Sequence, residues 1–382
     1  MESLKLASDW YDMFNESAGD LYPGRYTREF CLELAETALC IKELAARKNS
    51  TILVHNYQYP EMHEIGDFIG DSLGLVLNAR ACNAQRVDFA SVFFMGATTK
   101  IMLGDATRVY VQDRPDVLGC SLVSGTSHRW IENWKRRNPS GVLVTYINSD
   151  AYTKALSDYV STSRNTAEVI LRASIDHPDS QILVLPDKYL GLVMKSRAVA
   201  LGVDPKRVEI YDYPFGGNNA CCYVHEKIGD DAPEKALEEH PDAELMIHPE
   251  CGCASSCLYK LQAGILPQGR VYYLSTEQML GQAKRSDKKE FVVATEKGML
   301  YRLRRMLPEK KFYPVSDSAE CKFMKENNLK KLYASLLEDK YEIVFDENAD
   351  PKKEFVLGNK IQINLDIAEK AKAGIERMMQ IF

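Results

Sequence analysis

The feature that most restricts the fold of this chain is a script it follows three times, at a spacing of roughly 100 residues, far longer than a solenoid repeat. Each pass opens with a β-branched, apolar run of strand length that ends in polar groups: TILVHNYQ at 51–58, GVLVTYIN at 141–148 and AELMIHPE at 243–250. A helical segment and a serine-containing turn follow: GDS ending at Ser72, TSRN around Ser163 and LSTE around Ser275. Next come FFMGATTKIML at 93–103, ILVLPDKYLGLVM at 182–194 and FVVATEKGML at 291–300, each read as a buried strand running into a helix start. A short strand closes each pass: VYVQD ending at Asp113, VEIYD at Asp212 and FYPVSD at Asp317. A cysteine lies within ten residues of each of those aspartates, namely Cys120, Cys222 and Cys321.

Strands alternating with helical segments define parallel α/β units, whose ligands collect at the carboxyl ends of the strands. The polar groups of the repeats sit at those ends. The expected fold is therefore α/β, with three similar three-layer α/β domains in a pseudo-threefold arrangement around one central site. The expected boundaries are an N-terminal extension over 1–30, a first repeat over 31–121, a second over 122–222 and a third over 223–321. The segment 322–382 is expected to pack on the first repeat. Its terminal helix places Ile367, Ala371, Ile375, Met378 and Phe382 on one face. Residues 1–27 read as a lid, a packing arm or an oligomer contact.

With 48 basic against 54 acidic residues and a net charge of -6, the chain lacks the electrostatic footprint of a nucleic-acid binder. It has no signal-peptide core, and no run of 18 apolar residues for a membrane span. A cytoplasmic protein without nucleic-acid or membrane partners is the expectation. Its ten cysteines should then be mostly reduced: core residues, metal ligands or reactive thiols. Cys31 shares a helical stripe with Leu34, Ala38, Ile41 and Ala45, and Cys40 and Cys82 lie in similar surroundings, so these three read as helix residues.

Cys120, Cys222 and Cys321 come from distant segments, so they do not form a zinc ribbon, whose ligands are paired at short spacing. They suit one cluster or ion held between domains. Soft thiolates select iron-sulfur clusters, zinc or copper, and a cubane normally takes four cysteines. Three thiolates leave one metal position open, which marks a catalytic site where an exposed iron acts as a Lewis acid on a substrate hydroxyl or carboxylate.

The motifs HNYQ (55–58), GDSL (70–73), YIN (146–148), TSRN (162–165), PDKYLG (186–191), CYVH (222–225), HPEC (248–251), ATEKG (294–298) and AECKFM (319–324) resemble, in order and position, those of the quinolinate synthase family. The resemblance covers about residues 50–330 and, more weakly, the terminal helix. It implies three α/β domains around a 4Fe-4S cluster held by three cysteines. The implied activity is the condensation of iminoaspartate with dihydroxyacetone phosphate to quinolinate, with loss of phosphate and two waters, on the way to NAD. Carried over residue by residue, it makes Cys120, Cys222 and Cys321 the cluster ligands. It places His55, Tyr57, Ser72, Tyr146, Asn148, Ser163, His225, His248, Glu250, Ser275 and Thr276 in the active site, with Tyr57, Glu250, His248 and His55 as catalytic groups. The remaining histidines, His63, His128, His177 and His240, lack such context and read as exposed or local. An enzyme that makes the unstable iminoaspartate is a candidate partner.

The chain departs from the family pattern in three places. Phe94-Met95-Gly96-Ala97 lacks the acid that usually follows the glycine or alanine, and Leu274 stands where the family's Gly-Ser-Thr turn has glycine. The stretch from Glu250 to Ser275 is also longer than usual and begins CGCASSC. Cys251, Cys253 and Cys257 admit a second metal ion, a redox pair or plain packing. Of the adjacent Cys221 and Cys222, the Cys-x-x-His spacing to His225 selects Cys222. The departures keep two other readings open. One is a paralogous 4Fe-4S enzyme of the same fold acting as a dehydratase or lyase on a different small substrate; the other is a non-catalytic iron-sulfur sensor or scaffold.

Overall fold

The structure, a computed structural model, describes residues 1–213 and 220–381; Phe382, expected on the face of the terminal helix, lies outside the described residues. The first repeat supplies β1 (Ser50–His55), β2 (Phe68–Gly70), β3 (Arg86–Ala90) and β4 (Arg108–Val111). The second supplies β5 (Val142–Tyr146), β6 (Tyr159–Ser161), β7 (Ile182–Leu185) and β8 (Val208–Ile210). The third supplies β9 (Glu244–Ile247), β10 (Val271–Tyr273), β11 (Glu290–Ala294) and β12 (Lys311–Pro314). Near the C-terminus come β13 (Glu342–Asp346), β14 (Phe355–Leu357) and β15 (Lys360–Asn364).

The three sheets share one strand order: β2-β1-β3-β4, β6-β5-β7-β8 and β10-β9-β11-β12, all parallel. The repeat in the sequence is thus a repeat in topology, and the chain has the expected multi-unit α/β fold. The middle strands are covered on both faces, which is why they read as continuous Val, Ile and Leu runs instead of alternating. The order of strands reverses beside the first strand of each unit, so the crevice for a ligand opens beyond the carboxyl ends of β1, β5 and β9.

Two features of the repeat differ from the sequence reading. The segment Phe93–Leu103 is helical throughout, and the strand it was expected to contain is β3, just upstream. That strand was hidden because Arg86 and Asp88 interrupt its apolar run. Both are buried, Arg86 Nε donating to Asp88 Oδ2 at 2.7 Å with the guanidinium 3.8 Å from the Tyr110 ring centre. The edge strands β2, β6 and β10, only three residues each, also escape a periodicity search.

The C-terminal segment extends the first sheet: β13 pairs antiparallel with β4 and parallel with β15, and β14 pairs antiparallel with β15. The terminal helix Leu365–Met379 packs on the helix Ala151–Leu156 and on β6 of the second unit as well as on the helix Phe93–Leu103 of the first. Gly374 permits the approach, since a Cβ there would lie 3.2 Å from Val160 Cγ2. Residues 1–27 pack on the body of the chain. The helix Glu2–Ala18 buries Trp10, Phe14 and Ala18, with Phe14 against Tyr26 and Tyr301, while Arg25 donates to the buried Glu61 at 2.6 Å. Among the described residues, no helix is long and apolar enough to cross a membrane.

Candidate active site

Superposing the repeats in register explains why each polar strand end lies where it does. His55, Tyr146 and His248 close or directly follow the first strand of each unit, and Tyr57, Asn148 and Glu250 come two residues later. Ser72, Ser163 and Ser275 follow the edge strand, each at or just before a helix start. The cysteines obey the tightest rule. Phe93, Lys188 and Lys297, the third residues beyond β3, β7 and β11, donate their backbone N–H to Leu118, Ala220 and Ala319 at 2.8, 2.7 and 2.8 Å. Each acceptor lies two residues before a cysteine. Cys120, Cys222 and Cys321 then cap one-turn helices, Ser121–Ser124, Tyr223–Glu226 and Lys322–Lys325.

All the residues singled out for the site line one cavity: His55, Tyr57, Ser72, Cys120, Tyr146, Asn148, Ser163, Cys222, His225, His248, Glu250, Ser275, Thr276 and Cys321. No lysine or arginine lines it among the described residues. Peptide dipoles add positive potential there, beside the charges of Arg302 and Lys325 behind the wall. The helices Ser72–Ala81, Thr166–Asp176 and Thr276–Arg285 all begin at its wall, and a helix N-terminus receives anions. Ser275 caps the last of these in a capping box: its hydroxyl accepts from Gln278 N at 3.3 Å, while Gln278 Oε1 accepts from Ser275 N at 2.9 Å.

Glu250 is the electrostatic centre. Burial pushes its carboxyl up to about 7, against the opposing hydrogen bonds of Asn148 and Tyr146. Asn148 Nδ2 donates to Glu250 Oε1 at 3.0 Å and to the Tyr146 hydroxyl at 3.1 Å. The other carboxylate oxygen lies 3.4 Å from His225 Nδ1 and 3.3 Å from His248 Nδ1, and the two imidazoles stack with centroids 5.2 Å apart. Burial pushes His225 down to about 3, and burial, His225 and His55 together hold His248 well below its usual range. His55 is likewise lowered to about 3, by burial and then by Arg302 and Lys325. The imidazoles are therefore neutral at physiological pH while Glu250 exchanges its proton there, which suits general acid-base work. His225, His248 and Glu250, within 4.8 Å of one another, also form a group able to hold a metal ion.

The three thiols fit a shared metal group. Burial pushes Cys120 up to about 12, Cys321 to about 11 and Cys222 far above its ordinary value; Cys222 and Cys120 are raised further by the neighbouring thiols. Three soft donors from three sheets face one cavity without an ammonium or guanidinium on its wall, so a bound cationic group is what would convert them to thiolates. Two buried carboxyls hold the loops. Asp187 accepts from Cys222 N at 3.1 Å, and Glu296 accepts from Cys321 N at 3.4 Å while paired to Lys325 at 3.2 Å.

Sequence reasoning missed several residues here. Asn56, Asp187, Thr295 and Glu296 all fall inside the quoted motifs, yet a motif alone does not say that Glu296 lines the cavity while the other three support its wall from behind. Thr295 joins Tyr57 to His225, its Oγ1 lying 2.7 Å from the Tyr57 hydroxyl and 3.0 Å from His225 Nε2. His63 is not exposed: it is buried against Tyr301 with ring centres 5.5 Å apart. His128 pairs with Asp150 at 2.9 Å.

The departures resolve differently. Ala97 is buried on the helix Phe93–Leu103 and does not line the cavity. Leu274 closes the turn after β10 by donating its N–H to Ile247 O at 2.9 Å. Cys251 and Cys253 are joined by a disulfide, the redox-pair reading of the three, while Cys257 is free and the other seven cysteines are unpaired as expected. All three are buried in an apolar cluster with Val224, Leu245 and Ala319. Cys221 is buried but does not line the cavity.

A cavity to which three repeated α/β units each bring one thiol, together with neutral imidazoles and a carboxyl that titrates near neutrality, defines an enzyme with its site between converging α/β units. The model of the family "Quinolinate synthetase A protein" matches residues 40–380. The quinolinate synthase of Pyrobaculum aerophilum is 39% identical over 341 residues, covering 89% of this chain and 98% of that protein. That of Thermus thermophilus is 40% identical over 306 residues, 80% of this chain and 89% of its own length. That of Mycobacterium tuberculosis is 36% identical over 341 residues, 89% and 87%. The chain belongs to the quinolinate synthetase A family of enzymes.

Proposed function

We propose that this chain condenses iminoaspartate with dihydroxyacetone phosphate to quinolinate, releasing phosphate and two waters, in the route to NAD. The observation that carries the reading is the convergence of the motif residues of all three repeats on one cavity. Cys120, Cys222 and Cys321 would hold a 4Fe-4S cluster, and no fourth cysteine lines that cavity among the described residues. When bound, the cluster supplies a Lewis-acidic iron without a protein ligand, suited to easing loss of hydroxyl.

The chain's own residues perform the rest. Ser72, Ser163, Ser275 and Thr276, at or near three helix starts, receive the phosphate and carboxylate oxygens. Tyr146 and Asn148 orient Glu250, and Glu250, Tyr57, His55 and His248 take and return protons in a cavity where burial keeps the imidazoles neutral. His225 backs Glu250 from the side opposite Asn148. The division into repeats at 31–121, 122–222 and 223–321 belongs to the same proposal, as does delivery of the unstable imine by a partner enzyme.

The test is an anaerobic assay with iminoaspartate generated in place, dihydroxyacetone phosphate supplied and quinolinate read by chromatography. Quinolinate formed only with both substrates supports the reading. Its absence from protein with a full iron complement overturns it.

A further inference from the structure

Each cavity cysteine is followed by a residue outside the catalytic set: Ser121 after Cys120, Tyr223 after Cys222 and Lys322 after Cys321. The first two carry hydroxyls, and both line the cavity. The Ser121 hydroxyl reaches the next cysteine loop, where it accepts from Tyr223 N at 3.1 Å and donates to Cys221 O at 3.4 Å. Those two groups flank Cys222. The Tyr223 hydroxyl repeats the arrangement one loop further on, accepting from Lys322 N at 2.6 Å and donating to Glu320 O at 3.5 Å. Those two groups flank Cys321. A hydroxyl carries one proton and two lone pairs, so each can hold the backbone on both sides of a cysteine at once. The third junction is made differently. Lys322 Nζ lies over the rings of Tyr223 and Phe323, 5.9 and 4.9 Å from their centres, and the Phe323 ring packs on Gly119, where a Cβ would lie 3.0 Å from Phe323 Cε1.

We propose that Ser121 and Tyr223 are positioning residues whose hydroxyls clasp the three cysteine loops into a chain, Cys120 to Cys222 to Cys321, and so hold the thiols in place for one metal group. The proposal rests on the reading of those cysteines as ligands of that group. The loops need such a hold. Each cysteine caps a helix of only four residues, and a helix that short has no stability of its own. Asp187 and Glu296 accept from the N–H groups of Cys222 and Cys321, but each carboxyl belongs to the same repeat as its cysteine and fixes it only there. The two hydroxyls instead tie one cysteine loop to the next. Ligands already held in position bind with a smaller ordering cost, and the groups that hold a metal's ligands typically change its retention by about 10- to 100-fold.

Three substitutions separate the clasps from simple packing and charge. Tyr223→Phe removes the hydroxyl and keeps the ring beneath the ammonium groups of Lys227 and Lys322. Ser121→Ala removes the other clasp, whereas Lys322→Ala removes an ammonium and keeps the N–H that Tyr223 holds. In protein reconstituted anaerobically with iron and sulfide, iron release to a ferrous chelator should be at least about tenfold faster in Tyr223→Phe and in Ser121→Ala, and within about twofold of wild type in Lys322→Ala. Residue-resolved hydrogen exchange of the metal-free protein reads the clasps themselves. The Lys322 amide should be protected in wild type and exchange at least about tenfold faster in Tyr223→Phe, and the Tyr223 amide should do the same in Ser121→Ala. Unchanged iron release in either hydroxyl variant, or an equal acceleration in Lys322→Ala, overturns the proposal. A Lys322 or Tyr223 amide that exchanges in wild type at the rate of an unprotected amide overturns it even if the variants fail to fold. If the wild type takes up no iron, the ligand reading fails, and the exchange rates still decide whether the hydroxyls hold the loops.

Discussion

Replacing Glu250 by glutamine should make the protein more stable at alkaline pH while removing its turnover. The carboxyl titrates at an ordinary 4.5 in the unfolded chain and at about 7 in the fold, a difference of roughly 3 kcal/mol between the two charge states. Because the folded value is the higher one, the contribution is favourable below the unfolded value and is lost as pH rises through the folded value. Glutamine keeps the carbonyl that accepts from Asn148 and presents an amide toward the two imidazoles, so it avoids the buried charge with little change in shape. The variant's advantage should therefore grow by roughly 2 kcal/mol between pH 5 and pH 8. At the entropy of unfolding of a chain this long, that is about 2–3 °C in Tm. Thermal unfolding of both proteins without added iron, followed by circular dichroism across that range, measures it. Turnover of the cluster-loaded variant should fall by at least ~100-fold. A Tm difference that stays flat or shrinks as pH rises would refute the assignment of the raised proton affinity to Glu250.

Other outcomes follow from the same geometry. Cys120→Ser, Cys222→Ser and Cys321→Ser should each lose bound iron, since a hydroxyl is a poor iron ligand beside thiolates; Cys221→Ser, outside the cavity wall, should retain most of it by colorimetric iron count. Lys325→Met strands the fully buried Glu296 and should destabilise the fold by about 3–5 kcal/mol in urea unfolding, with Glu296→Gln in the same chain restoring much of the loss. Ser275→Ala removes one half of the capping box, which should cost about 1 kcal/mol of stability and raise KM for the anionic substrates.

The sequence carried the threefold plan because the plan is written in chemistry that sequence displays directly: apolar runs, polar strand ends and one cysteine per repeat. It missed β3 because the Arg86–Asp88 pair satisfies itself inside the sheet and so looks like surface. It missed β2, β6 and β10 because three residues give no period. The site residues were legible as motif members, yet the roles of Asp187 and Glu296 in anchoring the cysteine loops depend on contacts that strand pairing sets across tens of residues. The pairing of Cys251 with Cys253 was open in the sequence because spacing alone allows a metal ion, a disulfide or packing. His63 shows the converse error: without motif context it looked exposed, and only the packing against Tyr301 reveals its burial.

The central claim is that three thiols from three repeats hold a cluster with one iron left for substrate. The most direct measurement is Mössbauer spectroscopy of protein reconstituted with 57Fe, before and after saturating quinolinate. The account predicts about four irons per chain, one of which changes its isomer shift and quadrupole splitting on adding the dicarboxylate while the other three do not. Protein that binds no cluster, or a cluster whose irons all ignore quinolinate, would contradict it.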